Sequence, residues 1–263
     1  MVQRRADRRF RQVTRLLTRL VSRLLDAVEK RLSALKLGVL FGRTLGFTLP
    51  TRIRVGRQWY PTQFPNEHGV RVAFLEVLLA DCYGLRALPR TLGTVLDIGA
   101  NVGLFAIAAR QRFPDATIHC YEPNPALAGP LRTHAEAAHA LVFMEAVGDT
   151  AGHVSLAFGS ESVLTRTVGD AAGTIPCAAF ADTLERLAPG GASVDLVKLD
   201  CEGAEWELLR DAAPWQRVQQ LTMEYHLADG QTLAQMRAHV ERAGFTVQVV
   251  MPADAFGLLV ARR

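Results

Sequence analysis

Residues 94–105 read Thr-Val-Leu-Asp-Ile-Gly-Ala-Asn-Val-Gly-Leu-Phe, and this stretch decides the fold. Val95–Ile98 is a short apolar run that carries a carboxylate, Asp97, near its end. Small residues follow, and from Leu104 the apolar positions take helical spacing. A strand that turns through glycine into a helix opens a βαβ unit, because parallel strands need a crossover connection. A dinucleotide fingerprint would require glycine at 99, 101 and 104, where the chain has Gly, Asn and Leu. The pattern is instead Asp97-x-Gly99-x-Asn101-x-Gly103. An acid there repels a pyrophosphate and suits a cationic ligand, which disfavours a nicotinamide-dependent oxidoreductase.

Outward from this turn the chain alternates strand-like runs (Val95–Ile98, Thr117–Tyr121, Leu141–Ala146, Leu196–Leu199, Gln220–Glu224, Thr246–Val250, Gly257–Ala261) with helical ones (Leu104–Arg112, Ala126–Ala138, Ala204–Asp211, Thr232–Ala243). Such alternation predicts an α/β fold, a Rossmann-like sheet with helices on both faces. Ligands of these sheets bind at the carboxyl ends of the strands, so the chemistry is expected just after Ile98, Tyr121, Ala146, Leu199 and Glu224. Glu122 follows Gly103 by 19 residues, about one helix and one strand, and is placed to accept from both ribose hydroxyls. Its alternative role is to cap the helix that starts near Pro125. Asp149, after Val147-Gly148, is either a contact for an adenine amino group or a turn residue, with Gly152 completing a hairpin.

Three segments, Val-Leu-Asp-Ile-Gly-Ala-Asn-Val-Gly (95–103), Tyr-Glu-Pro-Asn-Pro (121–125) and Asp-Leu-Val-Lys-Leu-Asp-Cys-Glu-Gly-Ala-Glu (195–205), together resemble the FkbM-type methyltransferases. These are S-adenosylmethionine-dependent O-methyltransferases of the class I, Rossmann-like fold. The resemblance spans roughly 94–263 and departs at Cys201, where an aliphatic residue is expected; the thiol reads as a small buried side chain. It implies that Asp97, Gly99, Ala100, Asn101 and Gly103 shape the methionine and ribose end of the cofactor pocket and that Glu122 binds the ribose. It also implies that Lys198-x-Asp200-x-Glu202-Gly203 and Glu224-Tyr225-His226 face the acceptor. A hydroxyl acceptor needs a base, and the candidates are Asp200, His226, Glu202 and Glu224, with Asp200 favoured and His226 its rival. A divalent ion on Asp200, Glu202, Glu224 and His226 is the other way to activate a hydroxyl, but no metal is expected. Glu205 and Glu207 are read as a solvated helix face. The acceptor class implied by the resemblance is a sugar, a glycolipid or a secondary metabolite.

The net charge of +4 conceals a split: residues 1–45 hold 12 basic and 3 acidic residues (+9), and 46–263 hold 18 and 23 (−5). Within this basic arm Val13, Leu17, Leu20, Val21, Leu24, Val28, Leu32 and Leu35 follow helical spacing. The spacing predicts an amphipathic helix that packs on the catalytic domain or self-associates through residues 10–37. An anionic membrane surface is the alternative. Nucleic acid is not an expected partner, because no stacking aromatics interleave with the arginines. A non-catalytic adaptor at a membrane is the competing function, opposed by the intact motifs. The organisation reads as an arm (1–45), a lead-in hairpin and helix region suited to a lid (46–93) and the catalytic domain (94–263). Cys82, Cys120, Cys177 and Cys201 form no C-x-x-C pair, so reduced thiols and a cytoplasmic protein, peripheral at the inner membrane face if the arm reads lipid, are expected.

Overall fold

In the structure, a computed structural model, residues 24–44, 46–157, 166–169, 173–228, 230–252 and 255–263 are described. The central strands β3 (Thr94–Ile98), β4 (Thr117–Tyr121) and β10 (Val194–Leu199) are almost wholly buried, and β11 (Val218–His226) is buried at about every other position or more. The apolar-rich runs of β3, β4 and β10 suit a parallel sheet covered on both faces, whereas β11 interleaves polar residues with Val218, Leu221, Met223 and Tyr225. With β5 (Leu141–Phe143), β12 (Thr246–Pro252) and β13 (Phe256–Arg262) they form a seven-stranded sheet in the order β12-β13-β11-β10-β3-β4-β5. β5, β4, β3, β10 and β11 run parallel, and β13 lies antiparallel between β11 and β12. The strand order reverses between β3 and β10, so their carboxyl ends open a crevice there.

One face is covered by α3 (Leu104–Arg112) and α4 (Ala128–Ala138), which bury Phe105, Ala106 and Leu131 with Val95 and Ile118. The other is covered by α5 (Phe180–Leu187), α6 (Glu205–Leu208) and α7 (Leu233–Arg242), packing Leu184, Met236 and Val240 around Trp215. The strand expected over Leu141–Ala146 divides. Its first half is the edge strand β5. Ala146–Gly148 (β6) enters a separate four-stranded sheet, β6-β9-β7-β8, with β7 (Gly152–Ala157), β8 (Arg166–Gly169) and β9 (Ile175–Ala179). β6 pairs in parallel with the distant β9, and β7 lies antiparallel to β8 and β9, so no β6–β7 hairpin forms at Gly152. Short strands paired across long loops carry little local pattern, and tertiary packing chooses their partners.

Upstream, helix α1 (24–36) precedes the hairpin β1 (Arg52–Val55) and β2 (Gln58–Pro61). Helix α2 (His68–Ala73) continues as a π-helical turn over Phe74–Leu79. Val70, Phe74 and Leu78 bury with Ile53, Val55, Ala34 and Leu37 against Val102, Leu104 and Ile107 of the first βα unit. α1 packs through its small residues: Ala34 is buried and Ala27 half-buried, while Arg54 donates to the carbonyls of Leu35 and Lys36 at 3.1 Å each, satisfying the helix end. The expected packing face is therefore corrected. Leu24, Val28, Leu32 and Leu35 are exposed, because the alanine row lets the helix backbone approach the domain and turns the larger aliphatics outward. The expected periodicity over residues 10–23 lies outside the described residues.

Candidate active site

A cavity of about 640 Å³ occupies the crevice at the switch in strand order. Its floor is the turn after β3. The amides of Gly99 and Ala100 donate to the Tyr121 carbonyl at 3.0 and 2.9 Å, and the amide of Asp200 donates to the Ile98 carbonyl at 3.1 Å. Glycine at 99 is required twice over: φ is +76°, and a Cβ there would sit 1.7 Å from the Asp200 carbonyl oxygen. The two site-bearing turns can touch only because residue 99 has no side chain. Asn101, at φ +47°, holds its turn by accepting from the Val102 amide at 2.8 Å.

Glu122 is nearly buried and braces this turn. Its Oε2 accepts from the Asn101 amide at 2.8 Å and its Oε1 from the Asn124 amide at 2.9 Å. Burial raises its pKa while the Asn124 and Asn101 amides pull it down. Each oxygen has a second lone pair for a hydroxyl donor. The expected helix cap near Pro125 is supplied by Asn124, whose Oδ1 accepts from the Ala126 amide at 3.0 Å. Glycine-lined backbone at 99–101 beside a carboxylate with spare acceptors fits the ribose and methionine portions of a nucleoside sulfonium.

Three of the sequence-based candidates stand elsewhere. Asp97 is fully buried beneath the turn and does not line the cavity; its Oδ1 is 3.1 Å from the Lys198 ammonium, its partner across β3 and β10. This corrects its expected place at the cofactor: strand alternation points it into the sheet's packed face. Gly103, at φ +84°, also lies off the cavity and serves packing, since a Cβ there would come 3.1 Å from Leu131 Cδ1 on α4. Asp149 lies at the protein surface, 4.0 Å from Arg210, and the wall after β5 is formed instead by Glu145, Ala146 and Val147.

At the other end, the cavity collects Asp200, Glu202, Glu224 and His226. Lys198 is buried and donates to the carbonyls of Gly99 (2.6 Å) and Ile98 (3.3 Å), with Asp200 Oδ2 at 3.6 Å. Burial alone would depress this ammonium, yet Asp97 and Asp200 hold it above its ordinary range. Tyr83, from the lead-in region, donates to Asp200 Oδ2 at 2.8 Å. Burial and the Asp200 charge push its phenol well up, so it remains a donor. Glu205 is fully buried, a second correction: its Oε1 and Oε2 accept from the amides of Cys201 and Gly203 at 2.9 Å each. It folds back over the 201–203 turn, where Glu202 adopts φ +55°, while Glu207 stays exposed.

His226 is the hub of this end. Its Nδ1 is 3.4 Å from Glu205, and its Nε2 is 3.5 Å from Glu202 and 3.6 Å from Glu224. Burial works against the charged ring, but Glu205, Glu202 and Asp200 raise it to about 9. Burial, with Asp200 adding to it, lifts Glu224 to about 8 against the opposing pull of His226. Both shifts favour the protonated forms, an imidazolium at His226 and a carboxyl at Glu224. Ligand atoms of Asp200, Glu202 and His226 lie within 4.8 Å of one another. The imidazolium supplies the positive charge these acids need, and it would have to lose its proton before binding a metal.

Sequence reasoning missed Tyr83 and misplaced Glu205, which it read as a solvated helix face. Lys198 was expected to face the acceptor with Asp200, and both line the cavity, as the period-2 rule allows for alternate residues at the end of β10. No pattern in the sequence marks Tyr83, and nothing local in the 195–205 motif turns Glu205 inward. The methyltransferase FkbM domain family matches residues 97–247, more than half of the chain. The chain is 28% identical over 222 residues to 31-O-demethyl-FK506 methyltransferase FkbM of Streptomyces tacrolimicus, covering 69% of this chain and 84% of that protein. It is 25% identical over 231 residues to Methyltransferase sdnD of Sordaria araneosa, covering 72% and 88%. With Methyltransferase 1 of Beauveria bassiana (strain ARSEF 2860) the identity is 24% over 205 residues, covering 67% and 81%.

Proposed function

The chain belongs to the FkbM methyltransferase family, and from that premise we propose that this S-adenosylmethionine-dependent methyltransferase methylates a hydroxyl group of a small polyhydroxylated acceptor, a sugar, glycolipid or secondary metabolite. The bound cofactor supplies a methyl group already activated on a sulfonium. The chain's own task is to align the acceptor oxygen, exclude water and take one proton. Glu122 accepts from the ribose hydroxyls, and the backbone of 99–101 and the 145–147 wall hold the rest of the nucleoside.

The observation that carries the acceptor reading is the state of Asp200. Its Oδ2 is held by the Tyr83 hydroxyl at 2.8 Å, and its Oδ1 accepts no hydrogen bond among the described residues while the residue lines the cavity. A carboxylate fixed on one oxygen and open on the other orients an acceptor hydroxyl and receives its proton at Oδ1. His226 suits this role less, because its raised pKa keeps the ring protonated at neutral pH. Glu202 and Glu224 surround the imidazolium and offer acceptors for neighbouring hydroxyls of the same substrate.

The test is transfer of labelled methyl from S-adenosylmethionine into lipid and glycan extracts of the host, with identification of the product. A labelled methyl ether is the expected result; label on nitrogen or carbon refutes the hydroxyl assignment. Asp200→Asn should lose turnover with little change in cofactor affinity. Undiminished turnover would remove Asp200 as the base.

A further inference from the structure

We propose that the outer face of α1 docks the protein on an anionic lipid bilayer. Leu24, Leu25, Val28, Leu32 and Leu35 are 48–59% exposed. At about 100° per residue they fall within a single sector of roughly 100°. Scattered exposed leucines are ordinary; five on one stripe are not. The stripe is not a by-product of packing, because the helix docks on the domain by another side, through Ala34 and Leu37.

The borders of the stripe carry the argument for lipid. Arg31 and Lys36, both exposed, project within roughly 20° of its two edges, where long cationic side chains can extend to phosphates while their stems cover apolar surface. Beyond the helix end, Leu40 is 90% exposed and Trp59 is 47% exposed. Trp59 lies against Gly38, and the Arg52 guanidinium sits 4.7 Å over its indole ring. Leucines, a tryptophan and bordering cations are the composition of a helix that lies in a headgroup layer.

Charge chooses the occupant. Counted along the sequence, residues 1–45 carry +9, so a second copy would bring a like charge, whereas an anionic leaflet supplies the opposite sign. Residues 46–263 carry −5 and offer such a leaflet no net attraction.

The experiment uses the full chain and two vesicle preparations, phosphatidylcholine with phosphatidylglycerol in equal parts, and phosphatidylcholine alone. Co-sedimentation is expected with the first, weakened by salt and reduced at least about tenfold in Leu32→Glu/Leu35→Glu, since each leucine withdrawn from the acyl boundary forfeits more than a tenfold step. Calorimetric cofactor binding by the same variant should be unchanged, which certifies its fold. No sedimentation of the native chain, or undiminished sedimentation of the variant, overturns the proposal. So does a native dimer that the substitutions convert to monomer without any lipid binding, which would assign the face to a second copy.

Discussion

Replacing Lys198 by methionine tests the pairing of Asp97 with Lys198. The ammonium lies 3.1 Å from Asp97 Oδ1 and donates to the carbonyls of Gly99 and Ile98, and both side chains are buried. Lys198→Met leaves a buried carboxylate without its counter-charge and removes a donor from two carbonyls, of which Ile98 keeps the Asp200 amide. Breaking a buried pair from one side costs about 3–5 kcal/mol. For a chain of this size each kcal/mol lowers the melting temperature by roughly 2–4 °C, so a fall of about 6–20 °C is expected by scanning calorimetry. The double variant Asp97→Asn/Lys198→Met removes both charges and should recover much of that loss, giving a clear coupling energy in the double-mutant cycle. Asp97→Asn alone should lower stability, with cofactor affinity following only as the turn loosens. An unchanged melting temperature for Lys198→Met, together with an Asp97→Asn protein of full stability but lost cofactor affinity, would refute the structural pairing and restore Asp97 as a direct cofactor contact.

Gly99→Ala should destabilise the fold by several kcal/mol and impair cofactor binding, since φ +76° and a Cβ 1.7 Å from the Asp200 carbonyl both oppose it; a melting temperature within a degree or two of the native protein would contradict the contact. Tyr83→Phe removes the donor to Asp200 Oδ2 and should lower kcat about 10- to 150-fold, from a hydrogen bond to a charged group, at nearly constant cofactor affinity; an unaltered kcat would exclude Tyr83 from positioning the base. Stability should fall as pH rises. Both groups bind their proton more tightly in the folded state, Glu224 from an ordinary 4.5 to about 8 and His226 from 6.5 to about 9, so stabilisation present below those ordinary values is lost as pH climbs through the raised ones. His226→Gln should flatten the upper part of that profile, and a denaturation midpoint independent of pH from 6.5 to 9 would contradict the cluster.

What could be read in the chain and what could not follow from the range of the forces involved. The turn at 99–103, the acid at 122 and the residues ending β10 and β11 were legible because local backbone requirements and fixed strand-to-helix spacing leave marks in consecutive residues. The apolar stripe of α1 was legible as a stripe, but its outward direction was not, since periodicity gives a face without naming what it meets. Asp97 illustrates the same limit: its place at a strand end was visible, whereas its direction depended on Lys198, about 100 residues away, arriving beside it in the sheet.

The amino-acid sequence by itself determined the α/β architecture, the strand-to-helix turn at 99–103 and the charge division between arm and body, all properties of short windows or of composition. Only the tertiary structure decided that Glu205 turns inward to His226, that Tyr83 reaches Asp200 from the lead-in region, and that β6 leaves the main sheet to pair with β9. These are contacts between residues distant in the chain. Desolvation and charge pairing at such contacts depend on which surfaces the fold brings together, and that information is carried by no single segment.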